Sequence, residues 1–172
     1  KLNFMGNELA EYKEWDESKS LGWDILKYPD HDAFHRFTQK LNEIYLKYPA
    51  LYQMDYDLKG FEWLVVDDHD QCVFAIEIKD KDGNAIIAVM NFVGNSHDGY
   101  KVPVNIEGSY KEILNTDQDV YSGKGMVNPR ALRSKKLKLK EKTRLLNKDH
   151  YIEVKLAPFS ACIFEVKPKK ET

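Results

Sequence analysis

Cys72-Val73-Phe74-Ala75-Ile76-Glu77-Ile78-Lys79-Asp80-Lys81-Asp82-Gly83-Asn84-Ala85-Ile86-Ile87-Ala88-Val89-Met90-Asn91-Phe92 is the stretch that decides the fold. In its first half Cys72, Phe74, Ile76 and Ile78 recur with a period of two, which places them on one face of a strand. Asp82-Gly83 supplies a hairpin signal, because glycine accepts the positive φ of a tight turn. The return run Ala85 to Phe92 is apolar on both faces, the pattern of a strand in the middle of a sheet.

Working outward, the same period appears on both sides of this hairpin. Phe61, Trp63 and Val65 line one face of an earlier strand. Ile152, Val154 and Leu156 alternate with Tyr151, Glu153 and Lys155, and Pro158 then breaks the chain before Cys162, Phe164 and Val166 form a last strand. Short strands at this spacing, separated by turns, predict an antiparallel β-sandwich over residues 56–172.

Residues 1–55 read differently. Pro29-Asp30 is a helix start signal with Asp30 as N-cap. From His31 to Tyr48, the residues Phe34, Phe37, Leu41, Ile44, Tyr45 and Tyr48 keep the three/four spacing of an amphipathic helix, and Pro49 stops it. Lys1 to Met5 reads as a short apolar strand running into Gly6-Asn7-Glu8. Barrel enzymes present active-site groups from strand ends in this way. An edge strand alone would have nothing to pair with, so the chain is expected to be the tail of a larger protein, cut inside a domain.

Composition bounds the function. The chain has 172 residues, 42% hydrophobic and 31% charged, with a formal net charge of -2, as in an ordinary globular protein. That charge gives no general attraction to nucleic acid or to an anionic membrane surface. The longest apolar runs fall far short of the roughly 20 residues of a membrane helix. Cys72 and Cys162 sit in apolar, strand-like runs and make no disulfide framework, which points to a reducing cytoplasm. No cofactor is expected.

Several constellations have competing readings. His31 and His35 stand at i and i+4 with Asp32 beside the first, as in zinc-protease helices; without a third ligand the expected reading is two surface histidines and no metal site. Asp67-Asp68-His69-Asp70 and Asp80-Lys81-Asp82-Gly83-Asn84 could hold a hard cation, but fall where turns are expected. In the basic stretch Arg133 to Arg144, Leu137 and Leu139 alternate with Lys136, Lys138 and Lys140, which reads as a strand with its lysines in water. Glu8, Glu11, Glu14 and Asp16 cluster with Tyr12 and Trp15. Carboxylates among aromatics suit a sugar cleft, where hydroxyls need acceptors and ring faces need flat apolar partners; a charged surface loop is the alternative.

At this cluster a resemblance becomes visible. Phe4-Met5-Gly6-Asn7-Glu8, then Glu14-Trp15, then Ser20-Leu21-Gly22-Trp23, resembles the last barrel strand and following loop of the bacterial-type glycogen branching enzymes of the α-amylase superfamily. It continues through Gly60-Phe61-Glu62-Trp63, Asn91-Phe92 and Tyr100-Lys101-Val102-Pro103-Val104. It is strongest from Gly108 to Asp117 and over Tyr121-Ser122-Gly123-Lys124-Gly125, and closes with Leu156 to Ala161. Only Met126 to His150 stands apart. Leu9-Ala10-Glu11 departs from the usual Phe-Gly-Gln, and Gly22 stands where an Asp usually precedes the tryptophan.

The resemblance implies a fold and an activity. Residues 1–55 would be the end of a (β/α)8 barrel (strand eight, loop and helix), and 56–172 the C-terminal all-β domain. The enzyme would cut an α-1,4-glucan, hold the segment on an aspartate and pass it to a 6-hydroxyl, forming the α-1,6 branches of glycogen. Such retaining chemistry needs two carboxyl groups on opposite sides of the bond. The family takes them from earlier barrel strands, so this chain is expected to carry no catalytic residue and to be inactive alone. Gly6, Asn7 and Glu8 would shape the glucan cleft and Trp15 would stack on a sugar. Its partners would be α-glucan and the rest of the barrel. Two alternatives are a non-catalytic glucan-binding β module, and the tail of a hydrolase or debranching enzyme of the same superfamily.

Overall fold

The computed structural model describes residues 3–169. Among these residues the strands are β1 (Phe61–Asp68), β2 (Val73–Lys79), β3 (Ala85–Asn91), β4 (His97–Val104), β5 (Gly108–Asn115), β6 (Leu132–Arg133), β7 (Lys135–Lys136), β8 (His150–Leu156) and β9 (Ser160–Pro168). They form a six-stranded sheet in the order β1-β2-β3-β9-β5-β6 and a three-stranded sheet in the order β4-β8-β7. Every pairing is antiparallel. The expected sandwich is therefore the fold.

Its core lies between the two sheets. Val73, Ala75, Ile87, Val89 and Phe164 of the large sheet meet Val102, Val104, Ile152 and Val154 of the small one, all of them buried. The predicted alternations in β8 and β9 hold, with Ile152, Val154, Leu156, Cys162, Phe164 and Val166 inside. So does the central strand: β3 lies between β2 and β9 and buries Ile86 on one face and Ile87 on the other.

Phe74, Ile76 and Ile78 share a face of β2 as expected, the outer one; the sandwich face carries Val73, Ala75 and Glu77. Cys72 precedes the strand, with φ 47°. In β1 the register shifts between Trp63, opposite Ile76, and Val65, opposite Ala75. The bulge adds one residue, which turns the strand over. Phe61 and Trp63 consequently lie outside while Val65 is in the core.

The hairpin between β2 and β3 is organised by Asp80, which is 5% exposed. One carboxylate oxygen accepts the N–H groups of Asp82 (3.0 Å) and Asn84 (2.8 Å), and the other accepts the Asn84 amide (2.8 Å). Asp80 to Asn84 is a turn held by its own first residue.

Helix α1 (Pro29–Lys47) covers part of the outer face of the large sheet. Ile44, 3% exposed, packs with Phe37, Tyr45 and Tyr48 against Ile78, Ile86, Leu114 and Ile163. Asp30 is not its N-cap. Tyr28 occupies that place without a side-chain cap, Pro29 opens the first turn, and Asp30 accepts the Ser122 hydroxyl instead at 3.1 Å. Proline suits that position, where its missing N–H has no helical partner. Pro49 ends the helix as expected, beginning a 3-10 turn over Pro49–Leu51.

The expected strand at the start is not formed over the described residues. Lys1 and Leu2 lie outside them, Asn3 and Phe4 have no regular structure, and Met5 enters a turn. A strand needs a neighbour for its ladder, and no described strand runs beside this segment. The predicted strand over Lys136 to Lys140 also shrinks, to Lys135–Lys136. Leu137 is buried and takes Asp149 O as its partner at 2.7 Å, after which Leu139, 83% exposed, opens a 3-10 turn. None of the described helices is long and apolar enough to cross a membrane.

Candidate functional site

The candidate site begins at Gly6, which is buried with φ 93°, a backbone conformation glycine reaches without a Cβ clash. It turns the chain into a 3-10 turn over Asn7–Leu9. Three hydrogen bonds close this loop: Asn7 N–H to Phe4 O (3.0 Å), Leu9 N–H to Gly6 O (3.0 Å) and Ala10 N–H to Asn7 O (3.1 Å). Leu9 is fully buried and pins the loop against the molecule.

Helix α1 holds the loop from behind. His31 Nδ1 lies 2.9 Å from Leu9 O, and His35 Nδ1 lies 3.2 Å from Glu8 O. A carbonyl oxygen only accepts, so both rings donate through Nδ1. The far nitrogen of His35 accepts from the Gln39 amide at 3.1 Å. Tyr12 packs edge-on against His31 at 5.0 Å, and Trp23 against His35 at 6.3 Å. The two histidines are thus not the surface pair expected from sequence. His31 is 7% exposed and both rings are engaged with the loop.

Between loop and helix runs a groove of about 570 Å³. Phe4, Gly6, Asn7 and Trp15 line one wall, and Phe34 and Leu41 of α1 line the other. Trp15 stands edge-to-face with Phe4 at 5.7 Å and keeps 41% of its surface exposed. Gly6, Asn7 and Trp15 are therefore brought together. Glu8 is not: its carboxylate folds back onto the Gly6 N–H at 3.2 Å, and it does not line the groove.

The acidic residues divide by environment. Glu11 and Glu14 line the groove. The Glu11 carboxylate lies over Gly22: a Cβ there would stand 2.6 Å from its oxygen, so a side chain at 22 would have to displace the flexible end of Glu11. Asp16 serves its own turn, accepting from Ser18 N–H (3.0 Å) and Oγ (2.6 Å) and pairing with Lys19 at 2.7 Å. Lys19 first and then Ser18 hold its carboxyl below the ordinary range.

Away from the groove, Asp67 pairs with Arg144 at 2.5 Å, and Asp68 accepts from Tyr100 and from the Gln71 side chain and backbone. No group of three or more His, Cys, Asp or Glu among the described residues is placed to hold a metal ion. A second aromatic feature lies on the outer face of β1, β2 and β3. Phe61, Trp63, Phe74 and Phe92 form a row with successive ring centroids 5.4, 6.2 and 5.6 Å apart. Trp63 is 48% exposed and Phe92 59%.

Sequence reasoning did not give His31, His35 and Gln39 their part in the loop. Their signal is the i, i+4, i+8 stripe of ring and amide nitrogens on one helix face. Nor did it find the Phe34 and Leu41 wall, which it placed in the buried face of the helix.

An antiparallel sandwich of six and three strands, with a groove between its flanking helix and the loop before it, defines an all-β domain with a helical N-terminal extension. Residues 63–167 match the family described as the alpha-amylase C-terminal all-beta domain, and the chain belongs to that family. A 1,4-alpha-glucan branching enzyme GlgB of Oceanobacillus iheyensis is 35% identical over 172 residues, 99% of this chain and 26% of that protein. The enzyme of the same name from Novosphingobium aromaticivorans is 39% identical over 128 residues, 74% of this chain and 18% of its own length. The chain thus spans about a quarter or less of the curated relatives it matches. Among solved structures, the catalytic module of the glycogen-degrading pneumococcal virulence factor SpuA matches with a TM-score of 0.49 and 13% identity, covering 87% of this chain and 20% of that one.

Proposed function

We propose that this chain is the C-terminal part of a cytoplasmic 1,4-alpha-glucan branching enzyme, which cuts an α-1,4-glucan and transfers the segment to a 6-hydroxyl. Residues 1–55 close the catalytic barrel and residues 56–172 form its β domain. Gly6, Asn7 and Trp15 face the glucan, with Glu8 shaping the loop rather than touching the sugar. The chain supplies none of the paired carboxyl groups that retaining glycosyl transfer requires. Its own partners are the rest of the barrel and, through it, the glucan. The observation that carries this reading is the 35% identity to a branching enzyme across nearly the entire chain.

A chimera tests it. Exchanging the last quarter of the Oceanobacillus enzyme for this chain should give a protein that shifts the iodine colour of amylose as branches form. A chimera that folds but leaves amylose unbranched overturns the reading, and one that only shortens amylose supports a hydrolase or debranching enzyme. The 172-residue chain by itself should leave amylose unchanged.

The aromatic row favours a second reading, in which the sandwich itself grips polysaccharide. Exposed indole and phenyl faces suit sugar rings, which present flat apolar surfaces. Affinity electrophoresis in glycogen separates the two. Retardation abolished by Trp63→Ala and kept by Trp15→Ala assigns binding to the sheet; the reverse assigns it to the groove.

A further inference from the structure

We propose that His31 and His35 are positioning residues that set the conformation of the loop Gly6 to Ala10, and with it the placement of Asn7 at the groove. The proposal rests on the reading of this groove as part of a glucan cleft. The loop's own hydrogen bonds are all short-range, three backbone contacts of 3.0–3.1 Å and the Gly6 N–H to the Glu8 carboxylate at 3.2 Å, and short loops of this kind open easily unless something outside holds them. Beside the buried Leu9 side chain, the two hydrogen bonds from α1 supply that hold, spanning 22 and 27 residues. They fall on consecutive carbonyls, Glu8 O and Leu9 O, and fix the orientation of that peptide pair.

The donors are themselves fixed. His31 is buried, with the Tyr12 ring against its face. His35 has its tautomer set from the other side by the Gln39 amide, whose nitrogen donates to Nε2 and leaves the proton on Nδ1. A free histidine prefers its proton on Nε2, so the arrangement at His35 is an imposed one. Groups that must meet a substrate in one geometry act best when that geometry exists beforehand. A stripe of imidazoles on a stable helix supplies it.

The test uses the 172-residue chain. Long-range proton–nitrogen spectra of the wild type should show His35 neutral, protonated at Nδ1; the opposite tautomer overturns the proposal without any variant. His31→Ala and His35→Ala should speed amide exchange at Leu9 and Ala10 by about tenfold, the loss of one net hydrogen bond, while amides in β3 and β9 keep their protection. Asn places its amide nitrogen near where Nδ1 stands, so His31→Asn and His35→Asn should stay within about twofold of the wild type. Unchanged exchange in the alanine variants, or asparagine variants as loosened as these, overturns the proposal. Maltoheptaose added to the wild type reports separately on the cleft. If it leaves the Gly6 and Asn7 amide signals unmoved while the exchange pattern holds, the positioning role stands and the glucan reading fails.

Discussion

The Tyr100 hydroxyl donates to the Asp68 carboxylate at 2.5 Å, tying β4 of the small sheet to the end of β1 in the large one. Both strands are outermost in their sheets, so this bond closes a side of the sandwich that no strand ladder closes. Asp68 is 6% exposed and Tyr100 9%. A buried hydrogen bond to a charged group contributes roughly 1.5–3 kcal/mol. Tyr100→Phe should lower unfolding free energy by about that amount in urea denaturation, without changing the secondary-structure signal. A loss below about 0.5 kcal/mol would show that water replaces the hydroxyl at no cost.

The same pair predicts an alkaline limit. Burial first, then the hydrogen bond and charge of Asp68, push the Tyr100 hydroxyl well above its ordinary value of 10.0. Tyr110, donating to Ile106 O, is pushed up by burial and by Glu77. A raised pKa means that the unfolded chain ionises first. The contribution is therefore complete below pH 10 and is lost as pH rises beyond it. Each tyrosine should remove up to about 1.4 kcal/mol of stability per pH unit there. In Tyr100→Phe the slope above pH 10 should shrink by one tyrosine's share.

Asp80 sets the corresponding acid limit. Burial alone would raise its pKa, but the Asn84 amide and the N–H groups of Asn84, Asp82 and Gly83 outweigh it and hold the carboxyl below 3.8. The native state favours the ionised form, so the contribution is present above about pH 3.8 and disappears as pH falls through the lower folded value. Asp80→Ala should cost about 1–3 kcal/mol at neutral pH, as the turn's N–H groups lose their acceptor. It should also flatten the acid limb of a stability-against-pH curve. An unchanged limb would mean that the turn stays formed when Asp80 is protonated.

The hairpin around Asp80 was also the most legible part of the sequence, because its turn chemistry is local and its strands alternate cleanly. The sandwich, the helix and its stop at Pro49 were legible for the same reason. What was not legible depends on neighbours distant in the chain. The bulge after Trp63 turned β1 over, and nothing in Phe61-Glu62-Trp63-Leu64-Val65 signals it. The start of the chain has the composition of a strand, but a strand exists only with a partner. At the groove, Gly6, Asn7 and Trp15 were readable as a cluster. The fold-back of Glu8 onto the Gly6 N–H was not readable because such a local contact leaves no periodic pattern, and the engagement of His31 and His35 was not because their acceptors lie 22 and 27 residues away.

Gly123 belongs to the loop that docks the sandwich against α1. Tyr121 packs edge-on to Phe37 at 5.4 Å, and Ser122 reaches Asp30. A Cβ at Gly123 would stand 2.1 Å from the Asp117 carbonyl carbon and 2.2 Å from its oxygen, both backbone atoms that cannot rotate away. Gly123→Ala should therefore displace the loop, at a cost of about 2–4 kcal/mol typical of severe overpacking. Gly83→Ala meets open space at φ +83° and should cost only about 1 kcal/mol from backbone strain. Equal melting temperatures for the two variants would refute this account.

Glu77 supplies the sharpest energetic test, because this charged residue stands on the inner face of β2 and is fully buried. One of its oxygens accepts from Lys79 at 2.6 Å and Asn105 at 2.8 Å; the other is buried without a hydrogen-bond partner among the described residues. Desolvating a carboxylate in this way offsets much of what the ion pair contributes. Glu77→Leu, similar in size and apolar, should fall within about 1 kcal/mol of the wild type or be more stable. Lys79→Met should instead cost about 3 kcal/mol, because it leaves the buried charge with one partner fewer. Urea denaturation of both variants decides the matter, and a Glu77→Leu protein less stable than Lys79→Met would make the ion pair a net source of stability.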